Sequence, residues 1–131
     1  MKKILIIEDD KPLVELIQKR LEMEGFESHA VSDGYMGVEL AHKIKPDLIV
    51  LDVLLPAGDG LGVLKRLKLS ILTKDVPVVI LTAMADMMKK QDILDVGVAA
   101  YIEKPYDGDQ FIATIKDILK NKDKEKEAQG E

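Results

Sequence analysis

At 131 residues, with 47% hydrophobic and 33% charged side chains, the chain suits one globular domain with a real core. It has no cysteine, which excludes disulfides, thiolate nucleophiles and thiolate metal sites, and no apolar run nears the roughly 20 residues of a bilayer span. A formal charge of −5 argues against nonspecific nucleic-acid binding, so neither nucleic acid nor membrane is an expected partner and the cytoplasm is the expected location.

Short apolar runs alternate with stretches of helical period, the pattern of parallel βαβ units. The first strand, Lys3–Ile7, ends abruptly on Glu8, Asp9 and Asp10. Leu13, Leu16, Ile17 and Leu21 mark the first helix, with Pro12 near its start and Gly25 just past its end. A strand over Ser28–Val31 and a helix over Tyr35–Lys43 follow, then the solidly apolar "LIVL" of Leu48–Leu51, which delivers Asp52. A helix over Leu61–Leu69 leads to the fourth strand, Val78–Leu81, which ends on Thr82 and Ala83. A helix over Asp86–Val96 precedes the fifth strand, Ala99–Ile102, which runs into Lys104 and Pro105. In the last helix, Gln110–Leu119, residues Phe111, Ile112, Ile115, Ile118 and Leu119 form one apolar stripe. Residues 1–120 therefore read as one doubly wound α/β domain of five parallel strands and five helices. The charged residues 121–131 read as a disordered tail or linker.

In such a fold the carboxyl ends of the strands share one edge, where ligands bind. Glu8, Asp9, Asp10, Asp52, Thr82 and Lys104 thus converge from four strands. Clustered carboxylates repel unless a hard cation lies among them, and Mg2+ suits oxygen ligands while leaving room for a phosphate. Lys104 adds a second positive charge and Thr82 a hydroxyl donor. The set suits a phosphoryl group with a carboxylate nucleophile, a reaction that needs charge neutralisation and alignment more than acid–base chemistry.

With "IIEDD", "LDVLLPAGDG", "VVILTA" and "AYIEKP" in this order and spacing, the chain resembles the response regulator receiver domains of bacterial two-component signalling, from Lys2 to about Leu119. The resemblance implies a flavodoxin-like sheet of strand order 2-1-3-4-5. It also implies that Asp52 is the phosphoacceptor, taking its phosphoryl group from the phosphohistidine of a sensor histidine kinase or phosphotransfer protein. Asp9 would be the main Mg2+ carboxylate, with Glu8, Asp52 and the backbone carbonyl of Leu54 completing the set. Thr82 would be the switch hydroxyl, the Ala83 amide a phosphoryl donor, and Lys104 a phosphoryl ligand with a cis peptide to Pro105. Tyr101 matches the aromatic switch position. The face of the fourth helix, fifth strand and fifth helix would then dock a downstream target or effector domain, or a second copy as a homodimer. Beyond this self-phosphorylation and dephosphorylation the chain is not expected to be an enzyme.

Several residues have simpler readings. Asp10 suits a helix cap, Pro56 and Gly60 a loop, and Gly97 the end of the fourth helix. His29 and His42 read as surface residues. Met84, Met87 and Met88 divide evenly between core filling and an adaptable partner surface. Leu69, Ile71 and Leu72 either pack under a longer third helix or form an exposed patch. Rival functions fare worse. A Mg2+-dependent hydrolase of the haloacid dehalogenase type, working through an aspartyl phosphate on its own strand-end aspartate, wants an acid where Leu54 stands, and a flavodoxin-like cofactor binder would meet repulsion from Glu8, Asp9 and Asp10. A receiver-like adaptor that takes no phosphate is the better rival, yet the full acid, threonine and lysine set is present. The sequence reads either as a stand-alone regulator or as a receiver cut from a longer protein.

Overall fold

The computed structural model describes residues 1–55, 60–84 and 86–129. Its strands are β1 (Lys3–Ile7), β2 (Glu27–Val31), β3 (Leu48–Leu51), β4 (Val78–Thr82) and β5 (Ala100–Glu103). They alternate with α1 (Lys11–Met23), α2 (Gly34–Ile44), α3 (Gly60–Leu69), α4 (Met87–Val96) and α5 (Gly108–Ala128). All pairings are parallel and the order is β2-β1-β3-β4-β5, as expected. Successive strand residues face opposite sides, so the sheet carries two cores. Leu5, Ile7, Ile49, Leu51 and Ile80 meet residues from α2, α3 and α4 on one face. Ile4, Ile6, Leu48, Val50 and Leu81 meet Ile17 and Leu21 of α1 and Phe111, Ile112, Ile115 and Leu119 of α5 on the other.

Four helices start on an aspartate. Asp10, Asp33, Asp86 and Asp107 each accept hydrogen bonds from first-turn N–H groups, satisfying donors that the helix leaves unpaired. Asp10 is thus a cap, its Oδ1 3.2 Å from the Leu13 N–H. Gly97 closes α4 at φ 104°, a conformation that favours glycine. The loop role expected for Pro56 lies outside the described residues.

The largest departure from expectation is α5, which runs to Ala128, so residues 121–128 are helical instead of a disordered tail. Within this extension Asp123 pairs with the Lys2 ammonium beside β1, its Oδ1 at 2.8 Å. Smaller corrections follow from burial. His29 and His42 are partly buried: His29 pairs with Glu27 at 2.7 Å, and the His42 Nε2 is buried with no hydrogen-bond partner among the described residues. The methionines split, Met84 packing in the core while Met87 and Met88 are exposed. Leu69, Ile71 and Leu72 form an exposed patch. It stands on an ordered turn, since the buried Thr73 hydroxyl donates to the Leu67 carbonyl at 2.6 Å.

Gly60 abuts the backbone that follows β3, and a Cβ there would lie 2.3 Å from both Val53 Cα and its carbonyl oxygen. Backbone cannot swing aside as a side chain can. Gly60→Ala should therefore destabilise the fold by about 1–3 kcal/mol. A urea titration checks this through a lowered midpoint with an unchanged slope.

Candidate functional site

The strand order reverses between β1 and β3, and their carboxyl ends place Glu8 and Asp52 side by side. β1 and β3 are buried along nearly their whole length, so the backbone that carries these acids is fixed on both faces. Both carboxylates are themselves buried, at 4% and 5% exposure, while Asp9 is exposed at the rim. Buried charge is tolerated only when partnered. Lys104 supplies the partner, reaching from beyond β5 to Glu8 Oε1 at 2.6 Å and Asp52 Oδ2 at 3.0 Å. Its peptide to Pro105 is cis.

Each remaining oxygen has a donor. Asp52 Oδ1 accepts from the Thr82 hydroxyl at 2.8 Å and the Leu54 N–H at 2.9 Å. Glu8 Oε2 accepts from the N–H groups of Asp9 and Asp10 at 2.9 and 3.1 Å. Thr82 is wholly buried, and its own oxygen accepts from the Met84 N–H at 3.3 Å.

These contacts separate the two acids. Burial pushes Asp52 up, but the Leu54 N–H, the Thr82 hydroxyl and Lys104 together hold it below the usual carboxylate value. Burial also pushes Glu8 up, and there it prevails over Lys104 and the Asp10 N–H, with the Asp52 charge adding to the rise. For Lys104, burial works against the charged form, yet the two carboxylates raise its proton affinity. Asp52 is thus kept ionised in a site largely closed to water.

The carboxylate oxygens of Glu8, Asp9 and Asp52 can all lie within 4.8 Å of one another. Three oxygen donors so spaced, with one open to solvent, fit a hard divalent cation. Leu54 joins the site by its N–H and is half-exposed; Ala83 follows Thr82 on the exposed rim. Tyr101 stands apart from Asp52, its hydroxyl 3.5 Å from the Met84 carbonyl. The two backbone groups of Met84 therefore link Thr82 to Tyr101. Sequence reasoning misses this link, because backbone donors and acceptors carry no signature of residue type.

The profile of the response regulator receiver domain family matches residues 4–116. The chain is 38% identical over 124 residues to the DNA-binding dual master transcriptional regulator RpaA of Synechocystis, covering 95% of this chain and 52% of that protein. It is 35% identical over 119 residues to the phosphate regulon transcriptional regulatory protein PhoB of Escherichia coli, covering 91% and 52%. The chain thus spans about half the length of these curated relatives. Among solved structures, a CheY-like response regulator receiver domain protein from Methanospirillum hungatei superposes with a TM-score of 0.90 at 26% identity, covering 95% of this chain and 98% of that one. The signal receiver domain of a histidine kinase from Syntrophus aciditrophicus gives a TM-score of 0.85 at 30% identity, covering 92% of each chain.

The raised Glu8 carries a pH consequence. A carboxyl that binds its proton more tightly when folded costs stability at pH above its folded value, and the cost vanishes as pH falls below the ordinary 4.5. Glu8→Gln should therefore stabilise the fold at neutral pH, with the gain shrinking as pH falls toward about 4. Chemical denaturation across that range in metal-free buffer checks it.

Proposed function

We propose, from the premise that this chain belongs to the response regulator receiver domain family, that it accepts a phosphoryl group on Asp52 and passes the change to a protein-interaction surface. The observation that carries the reading is the surroundings of one buried carboxylate. Asp52 has the Thr82 hydroxyl on one oxygen, the Lys104 ammonium on the other, and an acid cluster beside it. The donor would be a phosphohistidine on a sensor kinase or phosphotransfer protein. An Asp52 oxygen forms the new bond to phosphorus as the bond from phosphorus to the histidine nitrogen breaks, and the imidazole leaves with the electron pair.

In this reading Lys104 would follow the charge onto the incoming phosphoryl oxygens, and the Thr82 hydroxyl and Ala83 amide would donate to them. Glu8, Asp9 and Asp52, with the Leu54 carbonyl, would hold Mg2+, which when bound neutralises charge on the transferring group. Self-phosphorylation and slow hydrolysis of the product are the chain's own chemistry in this reading. RpaA is a DNA-binding regulator by its description and PhoB a transcriptional one, and the receiver half they share with this chain fits a role in passing a signal to a target or effector domain. That docking, or homodimerisation, would use the face of α4, β5 and α5. The reading places the work in the cytoplasm; no helix among the described residues is long and apolar enough to cross a membrane.

With Mg2+ and acetyl phosphate, intact-mass measurement should show one added phosphoryl group, which Asp52→Asn abolishes and Asp9→Ala strongly reduces. Phosphorylation that persists unchanged in Asp52→Asn overturns the assignment.

Leu54 bears on lifetime. Its side chain is half-exposed two residues past Asp52 and offers no hydrogen bond to an attacking water. Met84, two residues past Thr82, packs its side chain in the core. Decay of the phosphorylated protein should be slow and should accelerate in Leu54→Asn; an unchanged rate there contradicts a shielding role for Leu54.

A further inference from the structure

Tyr101 is held from two sides. Its hydroxyl meets the Met84 carbonyl at 3.5 Å, and the Lys90 ammonium stands 4.8 Å from its ring centroid. The hydroxyl contact is at the outer limit of hydrogen bonding, so it is a weak anchor by itself. A cation over a phenol face is attracted by the ring quadrupole, and more strongly where water is partly displaced. Here the ring is partly buried against the core of the α2, α3 and α4 face.

Lys90 is in turn fixed. Its ammonium lies 3.3 Å from Glu103 Oε1, and Glu103 stands two residues past Tyr101 on β5, on the same side of the strand. One lysine of α4 therefore grips two successive same-side residues of β5. The grip matters because α4 is otherwise thinly attached. Ile93 is its one fully buried residue among those described, and Met87 and Met88 at its start are 74% and 81% exposed.

We propose that Lys90 is a positioning residue for the phosphoryl site: seated on the Tyr101 ring and tied to Glu103, it holds that ring against Met84 and so steadies the Thr82 hydroxyl on Asp52. The contacts are continuous. Lys90 sits on Tyr101, the Tyr101 hydroxyl on the Met84 carbonyl, the Met84 N–H on Thr82 Oγ1 at 3.3 Å, and the Thr82 hydroxyl on Asp52 at 2.8 Å. The inference rests on the roles proposed above for Asp52 and Thr82, and adds the means by which α4 reads them. Coupling of this kind is reciprocal. A partner carboxylate that draws Lys90 off the ring loosens Tyr101 and Met84, and a phosphoryl group that holds Thr82 favours the seated lysine.

The test compares the full chain with Lys90→Met, Lys90→Arg and Lys89→Met, by NMR of the Tyr101 ring, the Met84 amide and the side-chain methylenes of residue 90. In the unaltered protein those methylenes should show ring-current upfield shifts. Lys90→Met should move the Tyr101 and Met84 resonances, reflecting a change of about two- to fivefold in the ratio of seated to unseated ring. Arginine should restore them, and Lys89→Met should leave them in place. An unmoved Tyr101 in Lys90→Met, no rescue by arginine, or an equal effect from Lys89→Met overturns the proposal. Phosphoryl acceptance measured on the same samples keeps the two readings distinct. Loss of acceptance in the unaltered chain counts against the function and leaves the ring resonances interpretable. An unmoved ring with normal acceptance counts against Lys90 alone.

Discussion

Two carboxylates buried on adjacent parallel strands must share one lysine. Glu8 and Asp52 end β1 and β3 side by side, and neither can be ionised there without a counter-charge. Lys104 gives it to both, from the far side of the site, across a sequence distance that only the closed sheet spans. One cation against three clustered acids leaves the site short of positive charge. That shortage is what suits it to a divalent cation and explains why the strand ends carry acids that a purely structural protein would avoid.

The shared lysine also divides the labour. Asp52 collects a hydroxyl, a backbone N–H and the ammonium, and stays ionised; Glu8 is deeper in electrostatic debt and holds its proton more tightly. Two carboxylates on one sheet edge thus sit in different electrostatic environments, set by the donors that each one collects. The donors around Asp52 are also the start of the path outward. Thr82 contacts Asp52 on one side and the Met84 N–H on the other, so any rearrangement at the acid is felt on the strand beside it. β4 is fully buried while α4 and β5 are thinly packed, so in the proposed function the response would emerge at α4 and β5.

Much of this is legible in the sequence, for a physical reason. A run such as "LIVL" buried on both faces has one reading, and acids placed directly at its end fall on the sheet edge. β1 and β3 match their expected bounds, and the convergence of Glu8, Asp9, Asp52, Thr82 and Lys104 follows from parallel topology alone. Apart from the far end of α5, the other elements shift by a residue or two at their ends, where capping and fraying decide. What the sequence hides depends on distant partners. Periodicity ends at Leu119 because the last turns of α5 have no apolar face, and their pairing to Lys2 beside β1 through Asp123 is one that no local pattern announces. The seat of Lys90 on Tyr101 and the backbone link through Met84 are equally silent, since charge and amide groups have no period. The exposure of Leu69 and Ile71 likewise depends on a turn fixed by the buried Thr73 hydroxyl.

Charge governs the site: the acid cluster at the sheet edge should gain stability from a divalent cation bound through Asp9. Thermal unfolding of the unmodified chain against increasing Mg2+ measures this most directly, because a ligand that binds the folded state alone raises the midpoint with the logarithm of its concentration. A saturable onset followed by that rise, lost in Asp9→Ala, is the predicted result. A midpoint indifferent to Mg2+, or one that rises equally in Asp9→Ala, contradicts the account.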